Sequence, residues 1–287
     1  MIRFLAIDID GTLLDSRGGL PEENRAAIGE AIARGVEVAL VTGRGWHFTR
    51  PVATLLPRPL TLIVNNGALV KTLDGETKVG HLMACEVARD VIGAAADYRS
   101  SAAVVFDRAA SGQLVTGGLD WRHPKRRSFY RLHHAVVEEV SVLEDCLIED
   151  PVGVMFSGGV DPMRALAADL RTGPAAERYT VVVTEYVERD FTLVDVLAAG
   201  VSKGSTVQTW TGQRGYLRGE IMAVGDNHND RQMLEAAGVP VVMGNAVPGL
   251  KALGFHLTST NDDAGLAAAI RRFLPLPPRE QSREPSS

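Results

Sequence analysis

Apolar residues in this chain gather into short runs that stop abruptly on polar ones. Ile2 to Ile7 is the first. It is too short to span a membrane, and its β-branched and aromatic content predicts a strand buried on both faces. The run ends on Asp8 and Asp10. Between Pro21 and Arg34, Ala26, Ala27, Ile28, Ala31 and Ile32 recur at helical spacing, with glutamates early and Gly35 as the stop. Val36 to Val41 follows and ends at Thr42-Gly43-Arg44, completing a strand, helix and strand whose strands should be parallel and whose crossover should be right-handed. A third run, Leu60 to Val64, ends at Asn65-Asn66-Gly67-Ala68.

From about Gly80 the rhythm changes. A helical stretch from Glu86 to Tyr98 leads to short strands at Ala102 to Phe106 and Gln113 to Val115, then to a basic, aromatic passage. A strand at Val152 to Phe156, a helix at Pro162 to Leu170 and strands at Tyr179 to Thr184 and Phe191 to Val196 complete what reads as an α+β insertion, one sheet covered by helices. The parallel pattern resumes at Lys203 with a helix to about Trp210. A strand at Ile221 to Val224 then delivers Gly225-Asp226-Asn227-His228-Asn229-Asp230. A short helix to Ala237, a strand from Val239 to Met243 ending at Gly244-Asn245-Ala246, a last strand at Phe255 to Leu257 and a helix from Ala264 to Phe273 close the pattern. The expected fold class is therefore α/β: a parallel-sheet core over 1–81 and 196–274, an α+β insertion over 82–195, and a tail over 275–287. That tail is rich in proline, serine and charge and is expected to be disordered.

Composition narrows the setting. The 287 residues can bury a sizeable core, and 45% hydrophobic with 23% charged content is ordinary for a globular protein. A net charge of -5 argues against nucleic acid as the main partner. The two cysteines, Cys85 and Cys146, lie far apart without ligand spacing, which suits a reducing interior. Asp8 breaks the first apolar run before a signal sequence could form, and no stretch approaches a membrane span, so the expected location is the cytoplasm.

In an open α/β sheet, ligands sit outside the carboxyl ends of the strands, and those ends here carry Asp8, Thr42, Asn65, Asp226 and Asn245. Asp8 and Asp10, two apart on extended chain, point the same way about 6.5 Å apart and can address one hard divalent cation. Gly11 lets the backbone turn and present amides to an anion. Asn229 and Asp230 fall on one face of a first helical turn after Asp226, where plain N-capping is the simpler alternative. His228 lies between them and reads as surface.

Asp8-Ile9-Asp10-Gly11-Thr12 resembles the first motif of the haloacid dehalogenase-like (HAD) phosphohydrolases, whose core is Rossmann-like. The resemblance implies that Asp8 is the nucleophile that becomes an aspartyl phosphate and Asp10 the general acid and base. Thr42-Gly43 is similar to the second motif, which holds a phosphate oxygen, and Gly11 and Asn229 would share that work. Lys203 in Val-Ser-Lys-Gly matches the third motif, the lysine that balances nucleophile and phosphoryl charge. Asp226 in Gly-Asp-x-x-Asn-Asp matches the fourth, and with Asp8 and Asp10 would bind Mg²⁺, while Asp230 and Asn245 support the site. An insertion between the second and third motifs is where the Cof-type subfamily carries its cap. The approach to Lys203, from Asp195 to Ser202, departs from that pattern: it lacks the proline and carries Asp where Glu is usual, which bears on cap contacts.

Trp121-Arg122-His123-Pro124-Lys125-Arg126-Arg127, with Tyr130 and Arg131, suits nucleic acid, a phosphorylated sugar or nucleotide under a cap, or simply a solvated face. Arg44, Asn66, Lys125, Arg126, Glu185 and Tyr186 are candidate substrate readers. The expected activity is Mg²⁺-dependent hydrolysis of small phosphorylated metabolites, sugar phosphates foremost, with neither nucleic acid nor membrane as partner. A phosphomutase and a binding or regulatory protein that has lost turnover are the competing readings; retention of Asp10 weighs against the last.

Overall fold

The computed structural model describes residues 1–127 and 134–274. The chain begins with β1 (Phe4–Ile7), α1 (Glu22–Ala33), β2 (Glu37–Val41), α2 (Trp46–Ala53) and β3 (Thr61–Val64), followed by a hairpin of β4 (Leu69–Lys71) and β5 (Thr77–Gly80). An inserted stretch supplies α3 (Cys85–Ala94), β6 (Ala102–Val105), β7 (Leu114–Thr116), β8 (Val137–Glu139), β9 (Gly153–Gly158), α4 (Val160–Thr172), β10 (Tyr179–Tyr186) and β11 (Phe191–Ala198). The chain returns through α5 (Lys203–Gln213), β12 (Ile221–Gly225), α6 (Arg231–Ala236), β13 (Val239–Val242), α7 (Pro248–Lys251), β14 (His256–Leu257) and α8 (Gly265–Phe273).

Two sheets result. The first runs β14-β13-β12-β1-β2-β3-β4-β5, parallel from β14 to β3 and antiparallel at the β4–β5 edge. Alternate strand residues go to opposite faces. Leu5, Ile7, Leu40 and Val224 therefore pack with Ile28 of α1 and Ile270 of α8. Phe4, Ala6, Val41 and Ala223 pack with Trp210 of α5 and Leu234 of α6. With helices on both sides, β1 is buried along its whole length. It lies between β2 and β12, where the strand order reverses, and that reversal opens a crevice at its carboxyl end.

The second sheet, β10-β11-β9-β6-β7-β8, is antiparallel except for the β7–β8 pair. Its core joins Val104, Phe156, Val194 and Val196 to Val91 of α3 and Leu166 of α4. The expected α/β class with a parallel core sheet is what the chain adopts.

Some elements differ from the sequence reading. The β4–β5 hairpin, α2 and β8 were not anticipated: β4 and β8 are three residues long, and α2 contains Pro51. The helix expected over 86–98 stops at Ala94 and gives way to tighter turns over Ala96–Ser101. β11 runs on to Ala198, past the expected boundary at 195. Tyr130, Arg131 and the tail over 275–287 lie outside the described residues. Among the described residues, no helix is long and apolar enough to cross a membrane.

Candidate active site

Asp8 leaves β1 already buried, its amide donating to the Val224 carbonyl on β12 at 3.1 Å. Lys203 is the first residue of α5, a helix set by a capping box in which Ser202 and Ser205 satisfy each other's amides. An ammonium at a helix amino terminus opposes the helix dipole, and Lys203 is 1% exposed. Two carboxylates offset both costs: its Nζ donates to Asp8 Oδ1 at 2.6 Å and to Asp230 Oδ1 at 2.7 Å. Asp230 Oδ2 in turn accepts the amides of Asp226 and Asn227, each at 3.0 Å, which folds the loop after β12 back on itself. Gly225 is required there, because a Cβ would lie 2.6 Å from Asp230 Cβ. Gly11, at φ +80°, is required twice over: a Cβ would fall 2.3 Å from Asp226 Oδ2.

Asp8, Asp226 and Asp230 each offer an oxygen, all within 4.8 Å of one another. Burial, with Asp230 and Asp10 adding repulsion, pushes the Asp8 carboxyl up to about 7, although Lys203 pulls it down. Burial and the negative charges of Asp8 and Asp230 likewise raise Asp226 well above the usual range. Burial works against the Lys203 ammonium, yet Asp230 and Asp8 hold it above its ordinary value. Three crowded carboxylates answered by one ammonium form an oxygen-only set short of positive charge, which suits a hard cation such as Mg²⁺. With both Asp230 oxygens engaged, Asp8 and Asp226 are the residues that would hold it. Asp226 is steadied by the Thr12 hydroxyl at 3.2 Å.

The Asp10 side chain, expected to complete the metal set, is engaged by Arg44 and does not join the three clustered carboxylates. Arg44 donates Nε to Asp10 Oδ2 at 2.7 Å and Nη2 to Oδ1 at 2.5 Å, a planar fork that draws the carboxylate aside from the three clustered ones. Tyr186, from the inserted sheet, lies close by: burial raises its hydroxyl, and Asp10 and Asp8 raise it further. Thr42 is buried at the end of β2 and its hydroxyl accepts the Arg44 amide at 3.1 Å. At Gly43 a Cβ would press to 3.2 Å from the Asn66 amide group. Asn245 donates to the Gly11 carbonyl at 2.8 Å and so supports the first loop from outside.

A second set of contacts joins the two sheets. Asn66, in left-handed backbone at φ +53°, donates Nδ2 to Asp195 Oδ2 on β11 at 2.9 Å. Its Oδ1 accepts from Asn229 Nδ2 at 3.0 Å, and the same Nδ2 lies 3.4 Å from Thr184 Oγ1 on β10. Asn229 Oδ1 is buried without a partner. Asn66, Asn229 and Lys203 share the wall of a cleft of about 460 Å³ whose other side is built by Arg164 and Val182 of the inserted region.

Two expected substrate readers are otherwise engaged. Arg126 is an internal tie: buried, it donates to Ser157 Oγ and Ser101 Oγ at 2.9 Å and to the Ser100 and Asp120 carbonyls at 3.2 Å, and it also bonds the Ser157 carbonyl. Glu185 is held by a fork from Arg164 at 2.9 and 2.7 Å, which keeps its carboxyl below the usual range. Lys125 is exposed, and so is His228, as read from the sequence. Asp195, Thr184 and Thr12 were missed as site residues. Asp195 left two signals, a lone carboxylate within the apolar strand Phe191–Ala198 and its place as Asp where the resemblance expects Glu.

Known proteins resemble this arrangement along nearly the whole chain. Phosphatase YwpJ of Bacillus subtilis is 27% identical over 292 residues, covering 95% of this chain and 100% of its own. The 5-amino-6-(5-phospho-D-ribitylamino)uracil phosphatase YcsE of the same organism is 27% identical over 273 residues, covering 95% and 96%. A haloacid dehalogenase-like hydrolase from Bacteroides thetaiotaomicron shares the fold with a TM-score of 0.77 at 22% identity, covering 95% of this chain and 100% of its own. The family model for haloacid dehalogenase-like hydrolases matches residues 5–270, which span every strand end described above, and the chain belongs to that family.

Proposed function

We propose that the protein is a Mg²⁺-dependent phosphatase of small phosphorylated metabolites, sugar phosphates foremost, working through an aspartyl phosphate on Asp8. The observation that carries this reading is the buried Lys203 ammonium shared by Asp8 and Asp230 beside Asp226. A purely structural ion pair would leave no reason for a third carboxylate so close. The relatives named above as phosphatases support the phosphoryl chemistry.

In the first displacement an Asp8 oxygen forms a bond to phosphorus as the bond to the leaving oxygen breaks, and Asp10 supplies that oxygen's proton. In the second, water forms the new bond to phosphorus, Asp8 leaves as carboxylate, and Asp10 takes the water's proton. Lys203 favours the ionised form of Asp8 that attacks, while the Gly11 turn and Thr42 present donors to the phosphoryl oxygens. Arg44 holds Asp10 beside the site as a carboxylate, and one of its two hydrogen bonds must open for Asp10 to carry the proton. Mg²⁺, when bound by Asp8 and Asp226, supplies charge stabilisation for the transferring group. The stretch 82–195 would act as the cap, with Tyr186 reaching Asp10 and Asp8 from above.

Phosphate release from a panel of phosphorylated metabolites, with Mg²⁺ and again with EDTA, tests the reading. Mg²⁺-dependent release from several sugar phosphates, abolished by EDTA, is expected. No release from any phosphomonoester in the presence of Mg²⁺ would defeat it.

A further inference from the structure

The line Asp195, Asn66, Asn229 crosses from the inserted sheet to the core, and its members differ in one chemical respect. An amide's two ends have the same shape, so an asparagine can lie either way round, and a hydroxyl such as that of Thr184 donates or accepts as required. An ionised carboxylate only accepts. Asp195 is thus the one group in the line that sets direction. With Asp195 ionised, Asn66 must turn its NH₂ to Asp195 and its oxygen to Asn229, as observed at 2.9 and 3.0 Å. Asn229 must then spend its NH₂ on Asn66, which leaves its buried oxygen unpartnered.

That outcome is the wrong way round for a phosphoryl site. A phosphate oxygen offers only lone pairs, and the unpartnered end of Asn229 offers lone pairs too. If Asp195 carries a proton, the line reverses: Asp195 donates to Asn66 Oδ1, Asn66 Nδ2 donates to Asn229 Oδ1, and the Asn229 NH₂ turns to the open position as a donor. We propose that Asp195 is a positioning residue that acts through Asn66 to decide which end of the Asn229 amide meets the phosphoryl group, so that phosphoester binding is accompanied by proton uptake at Asp195. This rests on the phosphatase reading of the site.

The surroundings of Asp195 allow the change near neutrality. Val182 on β10 and Met155 on β9 face it in register. Val105, Val154 and Asn65 line the small cavity beside it, and none of these residues carries charge. Burial raises the Asp195 carboxyl to about 7, with only the Asn66 hydrogen bond pulling it down.

The experiment measures KM for p-nitrophenyl phosphate with Mg²⁺ between pH 5.5 and 8.5 in wild type and in Asp195→Asn. The variant side chain is always neutral and can donate to Asn66 at any pH. Because the same substrate titrates identically in both proteins, their KM ratio isolates the residue. The ratio of wild type to variant should stay near one at pH 5.5 and climb on the order of tenfold by pH 8.5, as one hydrogen bond to a charged group changes sense. In Asn229→Ala the added pH dependence of the wild type should vanish, and this second variant decides the matter if Asp195→Asn fails to fold. A ratio that is flat across the range, or pH dependence that survives in Asn229→Ala, would overturn the relay while leaving the phosphatase intact. Absence of any hydrolysis by the wild type would instead remove the phosphatase reading and the relay with it.

Discussion

Two carboxylates on neighbouring sheets, Asp8 buried in the core and Asp195 half-buried in the insertion, are each raised to about 7 chiefly by loss of solvent, yet they are held in opposite ways. Asp8 sits among charges: Asp230 and Asp10 push it up, and the Lys203 ammonium pulls it down. Asp195 has one amide for company. In the core, charge is answered by charge at the ends of parallel strands, which prepares a nucleophile and a cation site. In the insertion, polar groups are mostly answered within the insertion itself: Arg126 by serines and carbonyls, Glu185 by Arg164. The same displacement of a carboxyl therefore means chemistry in one region and adjustment in the other.

The largest test of that contrast is Asp8→Asn. It removes the nucleophilic charge but leaves Lys203 paired with Asp230 at 2.7 Å. Phosphate release should fall by about 10³-fold or more, while the melting temperature moves little. Clear residual turnover would place the nucleophile elsewhere.

Next is Lys203→Met, which strips the ammonium from two buried carboxylates. Removing one partner from a buried pair costs about 3–5 kcal/mol, or roughly 10 °C in melting temperature for a chain of this size. The burial that already raises Asp8 would then act unopposed, so the folded variant takes up protons that the unfolded chain releases, and its deficit should shrink as pH falls. Thermal melts at pH 8 and pH 5 check this; an equal deficit at both would mean that the uncompensated carboxylates are not its cause.

Arg126→Met probes the insertion. It leaves the acceptors at Ser100, Asp120 and Ser157 without their donor, at a cost of about 2–3 kcal/mol, read as a fall of several degrees in melting temperature. The value of kcat for p-nitrophenyl phosphate should change far less than in either core variant. A collapse of kcat with an unchanged melting temperature would return Arg126 to the substrate.

The sequence disclosed the core site because a buried strand that stops on a carboxylate has few places to send it. Asp8, Asp226 and Asp230 share one crevice because β1 and β12, which deliver them, pair in parallel register. The insertion was less legible for the converse reason. A run such as Arg122 to Arg127 reads the same whether its guanidinium groups face water or fold inward, and partners as distant as Ser157, 31 positions away, reveal which Arg126 does. The Asp10–Arg44 fork is hard to read for the same reason: Arg44 lies 34 positions on, and nothing local marks it as the partner of Asp10. The Asp195 relay was invisible on similar grounds: Asn66 is 129 positions away, and nothing local marks the two as partners.

The smallest expected effect returns to Asp195 and separates the two kinds of carboxylate most directly. In the unfolded chain this carboxyl loses its proton near 3.8, in the folded protein near about 7. Between those values the folded protein keeps a proton that the unfolded chain has released, so stability declines as pH rises from 4 to 7 and the full burden is present above 7. The whole displacement would correspond to about 4 kcal/mol, but Asp195 is partly exposed, and solvent screening reduces the expected figure to about 1 kcal/mol. Asp195→Asn keeps an oxygen for Asn66 and removes the charge. Its melting temperature should match the wild type at pH 4 and exceed it by about 2–4 °C at pH 8. Asp8→Asn should show less of this gain, because the charge it removes is partly matched by Lys203. If Asp195→Asn instead melts lower than wild type at pH 8, the Asp195 charge is being used by a partner, and the contrast between the two carboxylates fails.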